Sequence, residues 1–123
     1  MPELMVELAH RRKSHAPPRQ IVWEALVDPM KVSRGRVWFD LQPDEVAPTI
    51  LSADTPREVH WSSIWTDEPD LRIEFGIEAS NSGSVVTWRL FGLEGQLDPQ
   101  DVKDRRYRLN QLVNGNLRDY FDL

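Results

Sequence analysis

A chain of 123 residues, 40% hydrophobic and 28% charged, has the size and balance of one soluble domain spanning residues 1–123. It has no cysteine, which excludes disulfides, thiolate metal sites, iron–sulfur clusters and a cysteine nucleophile. With 20 acidic against 15 basic side chains it carries a net charge of −5, the wrong balance for gripping nucleic-acid phosphates.

Residues 3–15 open with an alternation of Leu4, Val6, Leu8 and His10 against Met5, Glu7, Ala9 and Arg11, the period of a strand. Their apolar run is too short and too broken by Glu7 for a signal-peptide core, and no stretch approaches the roughly 18–20 residues of a membrane span. A cytoplasmic protein with no membrane insertion is the expectation. Ala16-Pro17-Pro18 ends the strand and suits a helix start. Residues 19–28 then place Ile21, Val22, Ala25 and Leu26 on one helical stripe, closed by Asp28-Pro29.

Residues 36–41 alternate again, with Val37, Phe39 and Leu41 opposed to Trp38 and Asp40. Residues 45–53 are apolar but contain Pro48, which predicts an edge or bulged strand. Residues 57–65 form a strand with Val59, Trp61 and Trp65 on one face and His60, Ser62 and Ile64 on the other. The cleanest strand follows: Leu71, Ile73, Phe75 and Ile77 alternate with Arg72, Glu74, Gly76 and Glu78, so one face is wet and one buried. Asn81-Ser82-Gly83 supplies a hairpin turn into 84–93, where Val86, Trp88 and Leu90 oppose Thr87 and Arg89.

Asp98 and Pro99 start a helix as N-cap and first residue, and apolar residues at near-3.6 spacing carry it to Phe121. Asp101 and Asp104 are spaced to pair with Arg105 and Arg108, and Gly115 predicts a kink or a close approach. The plan is α+β: a curved antiparallel sheet of about six strands wrapped on a long C-terminal helix, in the order β-α-β-β-β-β-β-α. Burying every apolar strand face at once requires the sheet to bend around that helix.

Three stretches resemble the helix-grip superfamily of START domains, birch-pollen-allergen-like proteins and polyketide cyclases (the SRPBCC type), and most of all its bacterial polyketide cyclase and lipid transport branch. The first runs from Ala16-Pro17-Pro18 through Val22-Trp23 and Ala25-Leu26 to Asp28-Pro29. The second is Gly83-Ser84 leading to Trp88, with Ser84 where the family usually has threonine. The third runs from Arg106-Tyr107-Arg108-Leu109 through Leu112 to Asn116-Leu117-Arg118. The resemblance covers nearly the whole chain, which is short for the family between residues 28 and 45. It implies a cavity between sheet and helix that holds an apolar small molecule: a lipid, a polyketide or an aromatic compound.

On the strand and helix phases above, such a cavity is lined by Trp61, Trp65, Ile73, Phe75, Trp88, Leu109, Leu112 and Val113, aromatics and aliphatics suited to a flat apolar ligand. The same residues also suit a packed core, which a chain this small needs for its own stability. His10, His15 and His60 lack metal-ligand spacing, no nucleophile elbow surrounds Ser62, Ser63 or Ser84, and no phosphate-cradling glycine loop is present. His10, followed on its face by Arg12, is the one ionisable candidate for the interior. No catalytic residue, metal or cofactor is therefore expected, and binding without catalysis is the leading function. A protein-interaction module of the chaperone-assisting kind and a small cyclase or dehydratase are the alternatives. A homodimer stays open, because a trimmed sheet can leave apolar surface for a second copy.

Overall fold

The computed structural model describes residues 4–121. Strand β1 (Met5–His15) leads to helix α1 (Arg19–Val27), and after a long irregular segment come β2 (Ile50–Asp54), β3 (Glu58–Ser62), β4 (Arg72–Ser80) and β5 (Gly83–Leu93). The C-terminal helix follows as α2 (Pro99–Leu109), a π-helical stretch (Asn110–Asn116) and α3 (Leu117–Phe121). Residue 3, where the sequence reading starts the first strand, lies outside the described residues.

The five strands form one antiparallel sheet in the order β1-β5-β4-β3-β2. The α+β plan of a curved sheet and a long C-terminal helix holds, with five strands in place of about six. Residues 36–41 make no strand. Trp38 and Phe39 are adjacent in sequence yet both buried, which a pleated strand with one buried face does not allow. Among the described residues the nearest strand-like pairing is an isolated bridge between Ser33 and Arg36. The strand expected over residues 45–53 is shorter and later: β2 begins at Ile50, beyond Pro48, and lies at the sheet edge.

Alternation in β4 and β5 sends Ile73, Phe75, Ile77, Val86, Trp88 and Leu90 to one face. Those side chains join Val59 and Trp61 from β3, Val22 and Leu26 from α1, and Leu109, Leu112, Val113 and Leu117 from the C-terminal helix in one hydrophobic cluster. The Asp98 carboxylate caps α2 by accepting from the Asp101 N–H at 2.8 Å. The intrahelical pairs expected for Arg105 and Arg108 give way to tertiary ones: Arg105 bonds to Glu68, Arg108 to Glu45 and Asp40. Both arginines lie on the packed side of the helix, where partners from the loops complete their desolvated charge. Gly115 admits no close neighbour; a methyl group there would come no nearer than 4.0 Å to the Asn110 carbonyl.

Gly83 is demanded by packing. Its φ is +151°, and a side chain on it would overlap the carbonyls of His15 and Ala16. The next hydroxyl, Ser84 Oγ, donates to the Pro17 carbonyl at 2.9 Å. The Gly-Ser pair thus fixes the corner where β1 turns into α1.

Candidate functional site

The eight residues expected to line a cavity all converge. Trp61, Trp65, Ile73, Phe75 and Trp88 from the sheet side meet Leu109, Leu112 and Val113 from the helix, each at most 2% exposed. The irregular segment between α1 and β2 adds Trp38 and Phe39 to this cluster. Their rings lie 6.1 Å and 5.6 Å from that of Trp61, which in turn meets Phe75 edge-on at 4.6 Å. Trp61 Nε1 donates to the Leu26 carbonyl at 2.8 Å, and Trp38 Nε1 to that of Ala25 at 3.3 Å, so both indoles tie the α1 end to the aromatic cluster. Trp65 is covered by the Arg105 guanidinium, 4.8 Å above its ring. All eight belong to the packed core, to which sequence reasoning missed the contribution of Trp38 and Phe39.

The polar part of the interior lies elsewhere, along the seam between β1 and the C-terminal helix. A bulge between Glu7 and Ala9 shifts the phase of β1. Beyond it Arg11 pairs with Trp88, Lys13 with Val86 and His15 with Ser84. Directly opposed residues share a face, so these three basic residues are on the face that carries the buried side chains of β5. This corrects the expectation for His10 and Arg12. Both point to the other face, where His10 meets Glu7 at 3.2 Å and Arg12 meets Glu78 at 3.7 Å. The alternation of the sequence could not reveal His15, because the bulge inverts the phase that the opening residues set.

His15 is buried, and neither ring nitrogen has a hydrogen-bond partner. Burial, reinforced by the positive charges of Lys13 and Arg118, lowers its pKa below the ordinary histidine value. Ser14, His15, Ala16, Pro17, Arg118 and Phe121 surround a pocket of about 200 Å³. Four further enclosed polar atoms lack partners: Trp88 Nε1 on β5, Asn114 Oδ1 on the π-helical stretch, and Glu68 Oε2 and Arg105 Nε, whose residues pair with each other through their other atoms. The Asn114 amide is otherwise engaged, donating to Asn110 Oδ1 at 3.0 Å. Most buried polar groups in folded proteins are paired, so the four orphaned atoms of His15, Trp88 and Asn114 stand out. A π-helical turn in the same wall is a feature that recurs at functional sites.

The remaining polar residues hold structure. Arg108 clamps Glu45 through Nε and Nη2, both at 2.7 Å, and also donates to the Asp40 backbone carbonyl. Burial works against the Arg108 charge, but the bonds and charges of Glu45 and Asp40 outweigh it and raise its pKa. Ser63 Oγ brackets the backbone of Trp65, and Ser62 Oγ accepts from the Thr49 N–H at 2.7 Å. His60 sits between Glu58 and Glu74, at 3.7 Å and 3.6 Å, facing away from Trp61. Among the described residues no group of three or more His, Asp or Glu side chains could hold a metal ion, and no helix is long and apolar enough to cross a membrane.

Neither a known family model nor a curated protein matches the sequence. Solved structures do match the fold. The protein SSP2350 from Staphylococcus saprophyticus is similar at a TM-score of 0.67 and 18% identity, over 95% of this chain and 92% of its own. ChR145 from Cytophaga hutchinsonii is similar at 0.64 and 18% identity, over 99% and 97%. The AHSA1-like protein RHE_CH02687 from Rhizobium etli is similar at 0.58 and 12% identity, over 95% and 81%. With its antiparallel sheet packed on a long C-terminal helix, the chain shares the fold of an AHSA1-like protein, and the helix-grip architecture expected from the sequence is present.

Proposed function

We propose that this chain binds a small molecule with an apolar body and a polar end between the sheet and the C-terminal helix, and does not transform it. The observation that carries this reading is a set of enclosed, unpartnered polar atoms on the inward face of the sheet and on the C-terminal helix: both ring nitrogens of His15, Trp88 Nε1 and Asn114 Oδ1. A core that serves stability alone gains nothing from them, since an unpaired buried polar atom costs about 1–3 kcal/mol. A ligand that offers an acceptor to the His15 N–H or to the indole N–H recovers part of that cost on binding. The apolar body extends from the His15 pocket toward Trp88, Leu112 and Val113, which with Trp61, Trp65, Ile73, Phe75 and Leu109 belong to the packed core.

Thermal denaturation in the presence of fatty acids, sterols, flavonoids and polyketides tests the reading. A ligand at a hundred times its Kd adds about 2.7 kcal/mol, a rise of several degrees in Tm. A flat response across the panel overturns it.

A further inference from the structure

We propose that the polar end of the bound molecule is a carboxylate, received at the far end of the seam by Lys13, Arg118 and His15. The proposal rests on the binding reading above and adds the chemical class of the ligand: an apolar acid.

The charge distribution carries the argument. The chain as a whole bears a charge of −5 and repels anions. Yet the inward face of β1 beyond the bulge is basic at successive positions, Arg11, Lys13 and His15. Arg118 from α3 joins His15 at the pocket of about 200 Å³, whose other walls include Ala16, Pro17 and Phe121. Lys13 and Arg118 both act electrostatically on the His15 ring. Among the described residues the carboxylate paired with Arg118 is that of Asp119, which takes two contacts from it, at 3.4 Å from Nε and 3.3 Å from Nη2. Both side chains of that pair are more than half exposed, and an exposed pair is weak. A carboxylate entering the pocket gives the His15 N–H an acceptor and places a counter-charge beside Lys13 and Arg118. The hydrocarbon part of the same molecule meets Phe121 and Pro17.

Matched probes separate the head group from the body. Isothermal titration compares decanoate with decanol, and 2-naphthoate with 2-naphthalenemethanol, on the full chain, on the double variant Lys13→Gln/Arg118→Gln and on Arg106→Gln, an exposed control. The expected result is about a tenfold preference for the acid in each pair, as charge-assisted hydrogen bonds are roughly twice as strong as neutral ones. The double variant loses that preference, with an unchanged circular dichroism spectrum, and Arg106→Gln keeps it. Equal affinity for acid and alcohol, or a preference that survives the double variant, overturns the carboxylate assignment and leaves the binding reading standing. No binding by any of the four probes at millimolar concentration overturns both.

Discussion

Arg108 and Glu45 meet side-on across 63 positions of sequence, each carboxylate oxygen accepting one guanidinium N–H at 2.7 Å. Both side chains are at least nine-tenths buried, so each charge depends on the other. Glu45 also accepts from the Gln42 N–H at 2.9 Å, and Asn116 donates to Asp40 at 2.8 Å. Together these bonds fasten the irregular segment that carries Trp38 and Phe39 onto the C-terminal helix.

Arg108→Met leaves the Glu45 carboxylate buried without its cation. Breaking a buried pair from one side costs about 3–5 kcal/mol. Urea denaturation is expected to show a loss of that size, and Arg108→Met/Glu45→Leu is expected to recover a large part of it. If the double variant is as unstable as the single one, the clamp matters for its shape and not for its charge.

Two glycines give opposite results on substitution. Gly83→Ala forces a methyl group into the His15 and Ala16 carbonyls at a φ that alanine rarely adopts, at a cost of about 2 kcal/mol or more. Gly115→Ala meets nothing closer than ordinary contact and gains about 1 kcal/mol of helix propensity. Chemical denaturation midpoints moving in opposite directions confirm both statements.

The two central tryptophans differ in the same measurement. Trp61→Phe removes the donor to the Leu26 carbonyl, at the end of α1 where carbonyls have no helical partner. Trp88→Phe removes an N–H that has no partner. The first variant is expected to cost about 1–2 kcal/mol more than the second.

His15 links pH to stability. In the unfolded chain its ring takes up a proton near pH 6.5, as an unperturbed histidine does. In the folded chain burial holds its pKa lower. Between those two values the unfolded state binds more protons, so stability falls as pH drops below about 6.5 and levels off below the folded-state pKa. His15→Phe is expected to remove this slope, to leave stability at pH 7 unchanged or up to about 1 kcal/mol higher, and to weaken ligand binding. A wild-type curve superimposable on that of His15→Phe between pH 7 and pH 5 contradicts the assignment.

Much of this molecule is legible in the sequence because its strands have one dry and one wet face. Leu71, Ile73, Phe75 and Ile77 reveal β4 by alternation alone, and Asp98-Pro99 announces α2. What escaped depends on contacts between distant residues. Trp38 and Phe39 look like two positions of a strand until α1 and Trp61 are in place to receive both. The Arg108 partners are 63 and 68 positions away, beyond any local spacing rule. One bulged residue in β1 moved His10 out and His15 in, which changed the polar half of the candidate site.

The binding account is tested most directly by the indole N–H of Trp88, followed by ¹H–¹⁵N NMR during titration with decanol and 2-naphthoate. Trp88→Phe assigns the signal by its disappearance. The account predicts that this resonance moves downfield and becomes slower to exchange with solvent as either probe binds, because the indole gains its missing acceptor or is sealed beneath the ligand body. A probe that binds while the Trp88 signal stays fixed and only residues of the outer sheet face respond contradicts it.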